Sequence, residues 1–343
     1  MRATVRIGMV GAGAVAARHA RTLLAMDRVE VAGVADPALE RARELAGEAG
    51  AAAYPNHMEL LEAERLDALY ICVPPFAHGA PELAAIDAGL PFFVEKPVAI
   101  DQGTATAIAD RLAGRSLVTC TGYHWRWLDI FDRAAELLAD RPPRLVQCSW
   151  LDKVPPPTWW LRRDGSGGQT IEQTTHVLDT ARGLAGDVVE VHAFGARSAA
   201  DGDQGGSRVS TAPAEAGLPG ADIHDVTVAS LRFASGAVGT VASTCLLPRL
   251  HRAGVHVVAD GLSLELSETE LLVEADGRRS AWKADADARP RPDRDFVAAV
   301  RGGPDRVRVP WPEAYRTHLL ACAITSSAEQ RRPLPVPGGN GDG

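Results

Sequence analysis

Three short stretches of the chain hold residue types that can do chemistry. In GGQTIEQTTHVLD (167–179), Glu172 precedes His176 by four positions. On a helix that spacing puts both side chains on one face, within reach of each other or of one ligand. A solvated surface pair is the plainer reading. A metal pair is the sharper one, but no other His, Asp or Glu cluster at ligand spacing supports it. In PFFVEKPVAI (91–100), Lys96 follows a β-rich apolar run and precedes Pro97. Ligands of parallel α/β sheets gather at the C-terminal ends of strands, and a lysine partly removed from water there can take part in proton transfer. Taken alone, the tripeptide Glu95-Lys96-Pro97 reads equally as a snorkelling surface lysine.

The third stretch, Gly11-Ala-Gly13-Ala-Val-Ala16, is a GxGxxA fingerprint. Its first glycine permits a tight turn, its second lets backbone approach a pyrophosphate, and the small Ala16 lets the following helix pack close to the sheet. The N–H groups at the helix start, around Ala14 and Val15, then face the phosphates with the positive end of the helix dipole. Asp36 ends the next strand, at the distance where an acid binds the ribose hydroxyls; capping the following helix is its alternative role. A carboxylate there repels a 2′-phosphate, and Pro37 rather than a cation follows it. NAD is therefore favoured over NADP, with Arg41 and Arg43 the argument on the other side.

The elements that must position these residues fall into two patterns. Apolar runs at 4–10, 29–36, 67–75, 91–97 and 116–123 alternate with helical stretches at 14–26, 37–50, 77–90 and 101–113. Such alternation implies βαβ units, a parallel sheet and right-handed crossovers, hence an N-terminal Rossmann dinucleotide-binding domain over residues 1–122. Beyond it, runs rich in Val, Leu, Thr and Ser at 144–151, 188–197, 223–233, 236–247, 251–260 and 262–275 predict a large, mainly antiparallel open sheet in a C-terminal α+β domain, 123–333. Ala234-Ser235-Gly236 reads as a hairpin tip. One helix at 172–185 interrupts the strands, and helical stretches at 293–301 and 312–330 close the chain, the last able to pack back on the first domain. The Gly/Ala/Pro/Asp-rich segment 199–222 predicts a mobile loop, and 334–343 a disordered tail.

The composition narrows the function classes. The chain has 343 residues, enough for two domains, with 46% hydrophobic and 23% charged residues, which is ordinary globular usage. A net charge of −8 without a Lys/Arg cluster argues against a nucleic-acid partner. No apolar run approaches the roughly 20 residues of a membrane span, and the apolar start is broken by Gly8, Gly11 and Gly13, unlike a signal peptide. The five cysteines, Cys72, Cys120, Cys148, Cys245 and Cys322, have no CxxC spacing. They read as buried thiols of a cytoplasmic protein.

Taken together, GMVGAGAVAARHA (8–20), ICVPPFAH (71–78), VEKP (94–97), TGYHWRW (121–127) and GGQTIEQTTHVLD (167–179) resemble the glucose–fructose oxidoreductase / inositol dehydrogenase (Gfo/Idh/MocA) family over nearly the whole chain. The resemblance implies an NAD-dependent oxidoreductase that acts on a secondary alcohol or ketone of a sugar, cyclitol or aminosugar. It implies a homodimer or homotetramer built on the open sheet. Family dehydrogenases pair the EKP lysine with an Asp-x-x-x-His motif, which matches Lys96, Glu172 and His176 here. His176 would exchange the hydroxyl proton, since an imidazole with an ordinary pKa near about 6.5 can take and release one around neutrality. Lys96 would stabilise charge on the reacting oxygen, and Glu172, standing where the family has Asp, would orient substrate. By the same resemblance Glu95, Pro74, Pro75 and His78 line the cofactor, His78 reading equally as an ordinary helix-start residue; Tyr123, His124 and Arg126 face substrate, and Asp179, one turn beyond His176, either bonds substrate or orients its neighbour. Trp159 and Trp160 would stack on a sugar ring or anchor their loop. The acids Asp152, Asp164, Asp201, Asp203 and Glu172 suit an amine-bearing substrate. Two other readings use the same fold: a non-catalytic NAD-binding regulator, and a glycoside hydrolase that oxidises its sugar only transiently.

Overall fold

The computed structural model describes residues 4–197, 218 and 220–338. The chain forms two compact units, one of residues up to Arg133 with Lys283–His318, the other of Ala134–Trp282 with the residues from Leu319 onward.

The first unit alternates strand and helix from its start: β1 (Val5–Val10), α1 (Ala14–Leu24), β2 (Val29–Ala35), α2 (Leu39–Ala49), β3 (Ala52–Tyr54), α3 (His57–Ala63), β4 (Ala68–Ile71), α4 (Ala80–Asp87), β5 (Phe92–Val94), α5 (Gln102–Leu112) and β6 (Thr119–Thr121). The strand order is β3-β2-β1-β4-β5-β6, and the paired strands run parallel. Both faces of such a sheet are covered, which is why β4 and β5 are apolar and buried at every position. Side-chain caps start two helices: Asn56 accepts from Glu59 N–H (3.0 Å) before α3, and Asp101 from Thr104 N–H (2.8 Å) before α5. The three-residue β3 and the short α3 carried too little apolar pattern to be foreseen.

Sequence reading placed residues 123–333 in the second domain, with the C-terminal helix able to pack back on the first; the structure assigns the whole of Lys283–His318 to the first unit. The reason is packing. Phe296 and Val297 of α9 (Arg291–Val300) enter the core of the parallel sheet, and so do Val309, Trp311 and Ala314. The backbone follows them, since Thr121 N–H donates to the Val309 carbonyl (2.9 Å) and Trp311 N–H to Thr119 Oγ1 (2.9 Å). A fully buried ring such as Phe296 contributes roughly 2 kcal/mol of hydrophobic stabilisation, and apolar spacing alone does not say which sheet receives it. The long helix α10 (Trp311–Gln330) is divided between the units at His318. A further helix, α6 (Asp129–Leu138), likewise straddles the division and was not foreseen.

The second unit is built on a nine-stranded sheet. After β7 (Leu145–Leu151) come the one-turn α7 (Arg163–Ser166) and α8 (Thr175–Ala185), then β8 (Val188–Ala196), β9 (Val226–Phe233), β10 (Val238–Thr244), β11 (Arg252–Ala259), β12 (Leu262–Leu266), β13 (Glu270–Ala275), β14 (Arg278–Lys283) and β15 (Leu334–Pro335). Their order is β14-β13-β12-β11-β7-β10-β9-β8-β15, with β7 and β10 parallel and the other described pairs antiparallel. Along β9 the residues alternate buried and exposed, so one face packs and the other is open. The helix α8 packs on the sheet with ten buried residues, among them Val177, whose carbonyl accepts from the Cys148 thiol. Ala234, Ser235 and Gly236 do form the tip between β9 and β10. The run at 262–275 is two strands, turned at Ser267, whose hydroxyl accepts from Glu270 N–H (3.0 Å).

Most of the segment 199–222, expected as a loop, lies outside the described residues, as do 339–343. The tail expectation is corrected at its start, because Leu334 and Pro335 pair with Val191 and Glu190 of β8. All five cysteines are free thiols, and no helix among the described residues is long and apolar enough to cross a membrane.

Candidate functional site

In the first unit the glycine loop joins β1 to α1. Gly11 has φ +93°, and a Cβ there would lie 2.2 Å from the Cys72 carbonyl oxygen, so only glycine fits. At Gly13, by contrast, a Cβ would meet nothing within 4 Å. The protein's own packing does not require glycine at 13, and the space above it is open to a close approach. No side chain caps α1 at Gly13, so the N–H groups of its first turn, at Ala14 and Val15, face outward. Ala16, fully buried, provides the close helix–sheet contact.

Asp36 sits at the end of β2 with Oδ2 accepting from Ala12 N–H (2.9 Å) and Oδ1 from Ala38 N–H (2.8 Å). The alternative role is the one these bonds serve: Asp36 starts the turn into α2 and ties the glycine loop to the end of β2. Pro74 and Pro75 follow β4, Pro75 buried and opening a single 3-10 turn. His78 takes the second of its two expected roles, that of a helix-start residue. Its side chain is wholly buried, with Nδ1 2.6 Å from Glu82 Oε1, and Glu82 also accepts from Gly79 N–H (2.6 Å). It fixes the start of α4.

Lys96 is half-buried just past β5, and the Lys96–Pro97 peptide is cis. Its neighbour Glu95 is held on several sides. Oε1 receives His19 Nε2 at 2.9 Å and the Arg18 guanidinium at 3.3 Å, while Oε2 accepts from Lys96 N–H at 3.1 Å. His19 in turn places Nδ1 2.6 Å from Asp293 Oδ1 of α9. Burial opposes the charge on His19, but Asp293 and Glu95 outweigh it and push the pKa up to about 9. Burial likewise opposes ionisation of Glu95, and its bond to His19 overcomes this and holds the carboxyl below its usual range. Neither His19 nor Asp293 was singled out from sequence. The available signal was that His19 lies on the stripe Ala16, His19, Ala20, Leu23 that α1 buries.

Tyr123, His124 and Arg126 occupy the turn after β6. Tyr123 is 1% exposed, and the Arg126 guanidinium pairs with Glu313 (3.2 Å) above the Phe131 ring. Arg126 therefore secures the segment's own packing, an ion pair in place of the expected contact to sugar hydroxyls.

In the second unit, Glu172 and His176 do not share a plain α-helical face. Residues Thr170–Thr174 form a π-turn, and the α-helix begins only at Thr175. A π-turn closes i→i+5 bonds, so a separation of four no longer stacks the side chains. Glu172 instead accepts from Trp160 Nε1 (2.7 Å), and the His176 ring lies stacked on Trp150 at 5.5 Å between centroids and 19° between planes. Trp160 is fully buried with Ile223 and Cys245. That settles the alternatives for Trp160 in favour of the loop anchor, whereas Trp159 is partly exposed. Asp179 is 1% exposed on the buried side of α8. Trp150, on β7, is a residue that sequence reading missed, since one tryptophan in a strand gives no hint of its partner.

The pattern described as "Oxidoreductase family, NAD-binding Rossmann fold" matches residues 5–123, and the GFO/IDH/MocA C-terminal domain matches residues 142–264. A myo-inositol 2-dehydrogenase of Thermotoga maritima is 28% identical over 69% of this chain and 67% of its own length. An inositol 2-dehydrogenase of Saccharopolyspora erythraea is 30% identical over 54% of this chain, and the alignment spans 55% of that relative. In structure, levoglucosan dehydrogenase in complex with NADH superposes with a TM-score of 0.82 at 20% identity, covering 97% of this chain and 99% of that one. The glycine loop, Asp36 and the two matched domains lead to one assignment: the chain belongs to the Gfo/Idh/MocA family of oxidoreductases and takes NAD as its cofactor.

Proposed function

We propose that the protein is an NAD-dependent dehydrogenase moving hydride between nicotinamide and a secondary alcohol or ketone of a sugar, cyclitol or aminosugar. The observation that carries the reading is the Gly11–Gly13 loop bonded through Ala12 N–H to Asp36, in a chain that keeps Lys96, Glu172 and His176. Bound NAD supplies the hydride acceptor. The chain's own residues handle the rest. His176, its imidazole backed by the Trp150 ring, takes the hydroxyl proton. Lys96 donates a hydrogen bond to the reacting oxygen and stabilises charge that develops there. Glu172, steadied by Trp160, orients a substrate hydroxyl.

Within that class the contacts favour neutral polyols over amines. Asp152 accepts from Lys153 N–H and Gln173, Asp164 pairs with Arg162, and Glu172 is bonded to Trp160. Asp201 and Asp203 lie outside the described residues. The test is purified protein with NAD, and separately NADP, against myo-inositol, glucose and glucosamine, following absorbance of the reduced cofactor. We expect turnover with NAD on a neutral polyol, and a loss of at least about a hundredfold in both Lys96→Ala and His176→Ala. Substrate consumed without net NADH would favour the redox-neutral hydrolase. NAD binding that is tight while every member of the panel is inert would favour a regulator.

A further inference from the structure

The cluster around Glu95 contains two buried ionisable residues to which the reaction above gives no part. His19 is 4% exposed and Asp293 2%. Both ring nitrogens of His19 face carboxylate oxygens, at 2.6 Å and 2.9 Å. An ionised carboxylate only accepts hydrogen bonds, so an imidazole between two of them carries a proton on each nitrogen. The ring is also boxed in by Tyr70 and Phe93, which stack on each other at 4.8 Å, and Phe296 closes the box edge-on. Gly122 makes space for the Glu95 carboxylate, since a Cβ there would lie 2.5 Å from its oxygen.

We propose that His19 is a positioning residue for the reaction: clamped between Asp293 and Glu95, its imidazolium fixes the Glu95 carboxylate as a permanent negative charge beside Lys96. The role rests on the reading of Lys96 given above. Two carboxylates, Asp293 and Glu95, are balanced by two cations, His19 and Arg18. The other groups facing the cluster do not upset this balance. Burial holds the Tyr70 phenol and the Cys72 and Cys120 thiols well above their usual ranges, and so neutral. Asp295 on α9 is bonded to Trp127 Nε1. Removing His19 leaves one carboxylate of the pair without its counter-charge. Glu95 then takes up a proton or shifts, and the charge beside Lys96 is lost or displaced.

The experiment has a spectroscopic arm and a kinetic arm. In the first, the ring nitrogens of 15N-histidine-labelled protein are followed against pH. The clamp predicts one imidazole that remains doubly protonated at pH 8, disappears in His19→Asn, and titrates lower in Asp293→Asn. Absence of such an imidazole overturns it. In the second, His19→Asn, Glu95→Gln and the double variant are compared with NAD and the panel polyol that the wild type turns over. We expect kcat to fall roughly a hundredfold in each single variant while KM moves by less than about threefold. The double variant should be no worse than either single one, and His19→Asn should acquire an acid-side step in its pH profile. Independent, multiplying effects would overturn the role, as would a wild-type kcat in His19→Asn. If His19→Asn does not fold, Asp293→Asn carries both arms. Wild-type protein inert on every polyol would sink the dehydrogenase reading, whereas the clamp would still stand or fall by the ring titration.

Discussion

Glu95 in the first unit and Glu172 in the second are both carboxylates assigned to the chemistry, and the protein holds them by opposite means. Around Glu95 the partners are charged: His19 and Arg18 bond the carboxylate, and Asp293 bonds the far side of His19. Around Glu172 the described partner is a neutral indole, with Trp160 donating from a fully buried ring. A buried ionic cluster is strong only while every member keeps its charge, so it responds to pH and fails sharply when one member is removed. The indole donor is neutral and does not titrate. The first arrangement suits the constant charge proposed for Glu95, and the second the orienting role proposed for Glu172.

The contrast can be broken at several points. The largest effect is expected from Asp293→Ala, which strips His19 of one partner inside the aromatic box. Breaking such a buried pair costs about 3–5 kcal/mol, to be read as a lowered midpoint in chemical denaturation of the whole chain. A loss below about 1 kcal/mol would mean that the cluster is not the ionic unit described here.

Next in size is the pH dependence of stability. His19 titrates near 6.5 when unfolded and at about 9 in the folded chain. A raised folded-state pKa stabilises fully below the unfolded value and loses that contribution as pH climbs through the folded one. Stability should therefore fall between about pH 6.5 and 9 by an amount on the order of 3 kcal/mol, and His19→Asn should flatten that slope. Glu95 works in the opposite direction, its depressed carboxyl contributing above the unfolded carboxylate range and losing that contribution in acid. The smallest effect should come from Trp160→Phe, which removes one N–H donor and trims the buried indole to a phenyl ring. A loss of about 1–2 kcal/mol is expected, with the same pH dependence as the wild type. A changed slope there would erase the distinction between the two sites.

What could be read in advance follows from which constraints are local. The glycine loop and Asp36 were legible because a tight turn, a close approach to Cys72 and a strand-end acid each write themselves into a few adjacent residues. The alternation of β1 to β6 with helices was legible for the same reason. The clamp on Glu95 was not, since His19 and Asp293 are 274 residues apart and neither means anything without the other. The return of α9 to the first unit was hidden because Phe296 is equally apolar against either sheet. The π-turn at Thr170–Thr174 was hidden because its residues are those of an ordinary helix start, and only the extra backbone length shows it. Arg126 was read as a substrate contact for a related cause. Long side chains near a presumed site look like ligand contacts until their burial is known.

The two ends of the nine-stranded sheet have a consequence of their own. On one side the outermost strand is the pair Leu334–Pro335, laid against β8. Proline has no N–H to offer, so it cannot complete a ladder with anything beyond it. On the other side the outermost strand is β14, RRSAWK, nearly all exposed and carrying Arg278, Arg279 and Lys283. Cations along a free border repel a second copy of themselves and keep their backbone in water. Each border thus refuses a tenth strand, one by lacking a donor and the other by like charge.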